Sequence, residues 1–203
     1  MIKIAADRRL LLGYAAAHLL MFITFQDKSI FWYMFSASML LLISFSLLNE
    51  EIDHYAPARN YWFWGIASGL AIYTIFWIGS TLIDILNLPL ASQITKLYKQ
   101  FAPENFWQFA VLIFILAPGE EIFWRGFVQK RLLRSQSLRT ATILGAILYA
   151  SVHFYSGQVS LVLAALVGGL AWGALYAWKR SLPLVIISHI VFDLLLFWFL
   201  PLR

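Results

Sequence analysis

Two adjacent glutamates, Glu120 and Glu121, lie inside a long apolar run, and Arg125 follows one helical turn later. A charged carboxylate at membrane depth costs roughly 2.5 kcal/mol or more on insertion scales, so such a residue is a functional candidate by default. Glu121 and Arg125 are four residues apart, share a helix face and can pair. His189 and Asp193 repeat that spacing, and His153 stands four residues after Tyr149. Carboxylates and imidazoles move protons, hold developing charge and bind metals. A base held in a poorly solvated cavity is stronger than in water, and a donor fixed at low dielectric stabilises an oxyanion better. These residues therefore point to an enzyme whose chemistry happens within the bilayer.

The elements that carry them are expected to be membrane helices. Of the 203 residues, 62% are hydrophobic and only 12% charged, against about 25% in soluble domains. A soluble chain of this size could not cover that much apolar surface. The composition implies an all-α, polytopic helix bundle forming one membrane domain over residues 1–203. The net charge of +5 sits in short loops, where it orients helices against the bilayer, and does not suggest nucleic-acid binding. The absence of cysteine excludes disulfides, thiolate catalysis and Cys-type zinc sites. The first apolar stretch is followed at once by a second, so it is expected to be retained and not cleaved as a signal.

Seven spans are expected, at about 10–25, 30–48, 61–86, 106–134, 139–155, 159–179 and 182–200. The chemistry falls on the last four. Residues 49–60 read as a polar loop, and 87–105 as a connection that can include an interfacial helix. With seven spans, Lys3, Arg8, Arg9, Arg59, Lys130, Arg131, Arg134, Arg139, Lys179 and Arg180 share one side, and Lys28, Lys96, Lys99 and Arg203 the other. That bias predicts a cytoplasmic N-terminus. Small residues at Ala165, Gly169, Gly173 and Ala177, and at Gly65 and Gly69, predict close helix packing. Trp32, Trp62, Trp107, Trp178 and Trp198 fall near span ends and read as interfacial anchors.

Counting inward from the cytoplasmic ends puts Glu120 and His153 each roughly 21 Å deep, and His189 and Asp193 roughly 12 and 18 Å. Three helices thus bring polar groups to similar depth. Pro118 and Gly119 are expected to kink or break their helix beside a water-filled cavity. His18, His54 and Asp84 read as lying outside this group.

Glu120-Glu121-Ile-Phe-Trp-Arg125 resembles the EExxxR motif of the CPBP intramembrane proteases, a family that includes the type II CAAX prenyl proteases. Tyr149-Ala-Ser-Val-His153 resembles its second motif, FxxxH, and His189-Ile-Val-Phe-Asp193 its third, HxxxN or HxxxD. The resemblance covers about 105–200 and leaves the helices of 1–104 without a family signature. It implies a glutamic-type hydrolase in which Glu120 and His153 activate a water, while His189 and Asp193 stabilise the oxyanion. Glu121 and Arg125 would support the site as an ion pair. Tyr149 stands where the family usually has Phe, adding little beyond a hydroxyl. Asp193 stands where many members have Asn; an ionised carboxylate cannot donate, so an orienting role toward His189 is favoured.

No cofactor is expected on this reading. The metal alternative is zinc, with Glu120, His153 and His189 as ligands, although the chain lacks HExxH. The expected partners are the lipid bilayer and a membrane-anchored substrate: a prenylated CAAX tail, a C-terminal sorting signal or a leader peptide. The compact chain suggests the cell membrane of a prokaryote. Two other classes stay open. One is a non-catalytic immunity or scaffold protein of the same family. The other is a small transporter using buried carboxylates as proton relays, which the absence of repeated halves weakens.

Overall fold

The computed structural model describes residues 7–53 and 58–202; of Ala58 and Arg59, only the backbone is described. Lys3, His54 and Arg203 lie outside the described residues. Among the described residues every element is helical. Helices α1 (Arg8–Thr24) and α2 (Phe31–Asn49) are followed by the long α3 (Ala58–Ile85). A short α4 (Leu90–Phe101) precedes α5, continuous over Phe106–Leu132. Then come α6 (Leu138–Val152), α7 (Val159–Lys179) and α8 (Leu182–Phe199).

A helix thus forms at each of the seven expected places, and α4 fills the expected connection. Five of them, including residues 28–49, 60–85 and 106–132 with α7 and α8, are long and apolar enough to cross a membrane. Helices α1 and α6 have only 17 and 15 residues and fall short of that length. The outer surface carries exposed Leu12, Leu48, Phe63 and Phe114, as suits a lipid-facing wall.

Local chemistry sets the helix ends. Asp7 accepts the Leu10 N–H to cap α1, and Ser137 accepts the Thr140 N–H to cap α6. Asn105 and Gln108 form a capping box at the start of α5. Arg180, left-handed at φ 45°, stops α7, and the chain turns directly into α8.

Of the expected kink or break at Pro118 and Gly119, the break does not occur. The helix runs on through α-helical Ala117–Glu121, flanked by π-helical Leu112–Leu116 and Ile122–Gln129. Proline has no N–H to give, and here the wider π turns absorb that loss without ending the helix.

The glycine stripes have partners. A Cβ on Gly65 would meet Ile187 at 2.7 Å, and one on Gly69 would meet the Ser188 carbonyl at 2.7 Å, so α3 lies hard against α8. Gly169 sits against Ala146 in the same way, joining α7 to α6. Helix α5 passes between these pairs, with Gly119 packed on Met39 and Ile43 of α2. Helix α4 is amphipathic. Leu90, Ile94, Leu97 and Phe101 face an interior cavity, while Lys96 and Lys99 are exposed. Trp62, Trp107, Trp178 and Trp198 are exposed as anchors would be. Trp32 is buried and lines the cavity, because α4 and α5 close over the end of α2.

Candidate active site

The cavity has a volume of roughly 420 Å³ and walls that are mostly aliphatic and aromatic. Polar groups converge at one place on it: Glu120 from α5, Tyr149 and His153 from the end of α6, and His189 and Asp193 from α8. All five are buried. All four residues of the predicted catalytic group are therefore brought together. His18 is not among them: it bonds the Tyr155 hydroxyl and Ser151 between α1 and α6.

Glu120 stands between two imidazoles. Its Oε1 lies 4.0 Å from His153 Nε2, and its Oε2 lies 3.8 Å from His189 Nε2. Two hydrogen bonds of about 2.8 Å can span up to roughly 5.6 Å, so one water can bridge Glu120 and His153. His153 sits at the end of its helix, not within a span as expected. Helix α6 stops at Val152, and His153 opens a 3-10 turn that Gly157 closes at φ 68°. His153 Nδ1 lies 2.9 Å from the Tyr149 carbonyl, which can only accept. That nitrogen therefore donates, and Nε2 is the nitrogen that faces Glu120.

Glu121 faces away from the cavity. Its carboxylate is fully buried and takes a 3.1 Å bond from Arg125 Nη1, the expected pair. Arg125 also reaches the carbonyls of Gly168 and Gly169 at 3.5 and 3.4 Å, which lack of side chains on α7 leaves open to it. Gln129, one turn on, donates to the Gly173 carbonyl at 2.8 Å. The small-residue face of α7 thus serves polar contacts as well as close packing.

Two roles differ from expectation. The carboxylate bonded to His189 is Glu121, whose Oε1 takes the Nδ1–H at 2.8 Å. Asp193 lies 3.8 Å from the other nitrogen and makes no such bond. Spacing along one helix places Asp193 beside His189, but the ring turns its Nδ1 across to α5. Trp172 stacks on that ring at 3.8 Å between centroids and fixes its plane. Nothing in the spacing marked Trp172, because its partner is 17 residues away in sequence.

Tyr149 is the other difference. Its hydroxyl donates to Glu120 Oε2 at 2.8 Å. Its position four residues before His153 was visible; its reach across to another helix was not.

Among the described residues, no group of three or more His, Asp or Glu has a metal-holding arrangement. The zinc alternative would need ligands about 2 Å from the ion. Four-coordinate ligands would then stand closer together than the 3.8–4.0 Å that separates Glu120 from either imidazole. The side chains as placed do not fit that geometry.

Residues 102–195 match the family model described as type II CAAX prenyl endopeptidase, Rce1-like. No curated protein and no solved structure matches the chain. The matched stretch contains all three motifs and the five residues Glu120, Tyr149, His153, His189 and Asp193 that converge on the cavity. With the motifs in order and their residues gathered on one cavity, the match over this stretch supports a place for the chain among the CPBP family of CAAX-protease-like membrane proteins.

Proposed function

We propose that the chain is an intramembrane endopeptidase that hydrolyses a peptide bond near the C-terminus, or in the leader, of a membrane-associated substrate. The observation that carries this reading is Glu120 held between His153 and His189 at 4.0 and 3.8 Å, at the polar corner of an otherwise apolar cavity. A general base must reach its proton directly or through one water, and this spacing allows the second.

In the proposed reaction a water lies between Glu120 and His153 and gives a proton to Glu120. Its oxygen bonds to the scissile carbonyl carbon, and the carbonyl π pair moves onto oxygen. The oxyanion then collapses, the C–N bond breaks, and the amine leaves with the proton that Glu120 had taken. His189 serves the oxyanion side as an imidazolium. Its Nδ1–H is already matched by Glu121, and its Nε2 faces both Glu120 and Asp193, so two N–H groups are the arrangement its surroundings suit. Asp193 offsets that positive charge. Glu121 and Arg125 hold the assembly in register.

The chain is read as crossing the cell membrane seven times with its N-terminus in the cytoplasm, the orientation its cation bias favours. Helices α1 and α6 then cross as short members of the bundle.

The test is cleavage of internally quenched peptides by protein purified in detergent. One peptide ends in a farnesylated CAAX sequence, and one carries an apolar, unmodified C-terminal tail. Glu120→Gln keeps the shape and removes the base, so cleavage is expected to fall at least 10²-fold. Full cleavage by that variant would sink the Glu120 mechanism, and a wild type that cleaves neither peptide would favour a scaffold. Loss of activity with a chelator, restored by zinc, would favour the metal alternative.

A further inference from the structure

The proposed reaction develops negative charge on a carbonyl oxygen, and the site is poor in groups that could meet it. It holds three carboxylates, Glu120, Glu121 and Asp193, which accept hydrogen bonds when ionised. Its N–H donors are mostly committed. Arg125 is bonded to Glu121 and to carbonyls of α7. His153 Nδ1–H is held by the Tyr149 carbonyl, and His189 Nδ1–H by Glu121. The Trp172 indole N–H lies on Ser188 Oγ at 3.2 Å. Next to Glu120, that leaves His189 Nε2 and the Tyr149 hydroxyl.

These two flank the same atom. Glu120 Oε2 is 2.8 Å from the Tyr149 hydroxyl and 3.8 Å from His189 Nε2, while Oε1 turns to His153. The carboxylate therefore has a water-facing oxygen and a donor-facing oxygen. Tyr149 is held firmly where it is: its ring is buried beneath the Arg125 guanidinium at 5.0 Å and edge-on to His153 at 4.8 Å.

We propose that the Tyr149 hydroxyl is a catalytic oxyanion donor, supplying the hydrogen bond that Asp193 as a carboxylate cannot. The assignment rests on the peptidase reading above. Before reaction the hydroxyl is parked on Glu120 Oε2. When Glu120 takes the water's proton it loses its charge and becomes a weaker acceptor. The oxyanion forms in the same step, and the O–H turns to it. No proton changes owner at Tyr149; one hydrogen bond is exchanged for another to a fully charged oxygen, which is the stronger kind.

The experiment compares wild type, Glu120→Gln, Tyr149→Phe and the double variant Tyr149→Phe with Asp193→Asn, on the peptide that wild type cleaves faster. Tyr149→Phe removes one oxygen atom, and thermal unfolding in detergent checks that the variant is folded. Loss of one oxyanion donor costs about 10²–10³ in kcat, so Tyr149→Phe is expected to drop by that factor with KM within about threefold. An amide at 193 can donate where a carboxylate cannot, so the double variant is expected to regain at least tenfold in kcat over Tyr149→Phe. A hydroxyl that merely positioned Glu120 would give no such recovery. If Tyr149→Phe keeps kcat within threefold, or the double variant recovers nothing, the assignment is wrong. If wild type cleaves neither peptide, the peptidase reading fails and this one with it; if Glu120→Gln cleaves as fast as wild type, Glu120 is not the base and the exchange assigned to Tyr149 fails with that role. An inactive Glu120→Gln beside an unimpaired Tyr149→Phe overturns the donor assignment alone.

Discussion

Replacing Arg125 by methionine tests whether the polar assembly behind the cavity is an interdependent unit. Arg125 is 2% exposed and Glu121 fully buried, so the pair has almost no access to water. Methionine fills much of the same volume, which keeps the packing penalty small. The contacts to Gly168 and Gly169, at 3.5 and 3.4 Å, are long and contribute little. The main cost is the carboxylate left behind. Removing one partner of a buried pair costs about 3–5 kcal/mol, because the other charge is stranded. Glu121 would still hold the His189 N–H on Oε1, while its Oε2 already has no partner. The lower end, about 3 kcal/mol, is therefore expected, close to 10²-fold in the folded-to-unfolded ratio. Unfolding in detergent with increasing dodecyl sulfate, followed by tryptophan fluorescence, measures it. Arg125→Met combined with Glu121→Gln removes both charges and is expected to recover more than half of the loss. A single variant within 1 kcal/mol of wild type, or a double variant no more stable than the single, would refute the stranded-charge account.

Other outcomes follow from the packing and the charged loops. Gly69→Ala would set a Cβ 2.7 Å from the Ser188 carbonyl and 2.8 Å from Val191, forcing α8 outward. About 1–3 kcal/mol of stability should be lost, with a fall in peptide cleavage because α8 carries His189; unchanged melting and activity would contradict this. Trp172→Leu removes the ring stacked on His189 and should lower kcat more than it raises KM, as steady-state cleavage would show. Asp53 lies outside the spans. Burial pushes its carboxyl up, but bonds from Lys130 and Tyr176, with Arg180 alongside, outweigh that and hold it below the usual range. Its stabilising effect is then present above the unfolded value of about 3.9 and lost as pH falls through the lower folded value. Melting temperature should drop below about pH 4, less steeply in Asp53→Asn; equal slopes would refute the linkage.

The loop chemistry shows how far charge counting reaches. Lys130 and Arg180 count in sequence as free cations that orient helices. In the fold both meet buried Asp53, at 2.6 and 3.1 Å, and Arg131 meets Asp7 at 2.8 Å. The acidic partners lie 77 and 124 residues away from Lys130 and Arg131, so spacing rules that work within one helix could not pair them.

Membrane character, the helix positions and the polar residues that meet at the cavity were legible in the chain. Hydrophobic runs long enough to span leave a strong compositional signal, and a carboxylate inside such a run stands out by its cost. The Glu121–Arg125 pair was readable because the helix itself sets a four-residue neighbour distance. What the sequence could not decide depended on how helices rotate against one another. That rotation gave His189 to Glu121 instead of Asp193, turned the Tyr149 hydroxyl onto Glu120, and buried Trp32 in the cavity wall. The π turns around Pro118 belong with these, since a helix near a proline can break, kink or widen, and packing against α2 and α8 selects among them. One-dimensional spacing names neighbours on the same helix; only the packed bundle names those across from it.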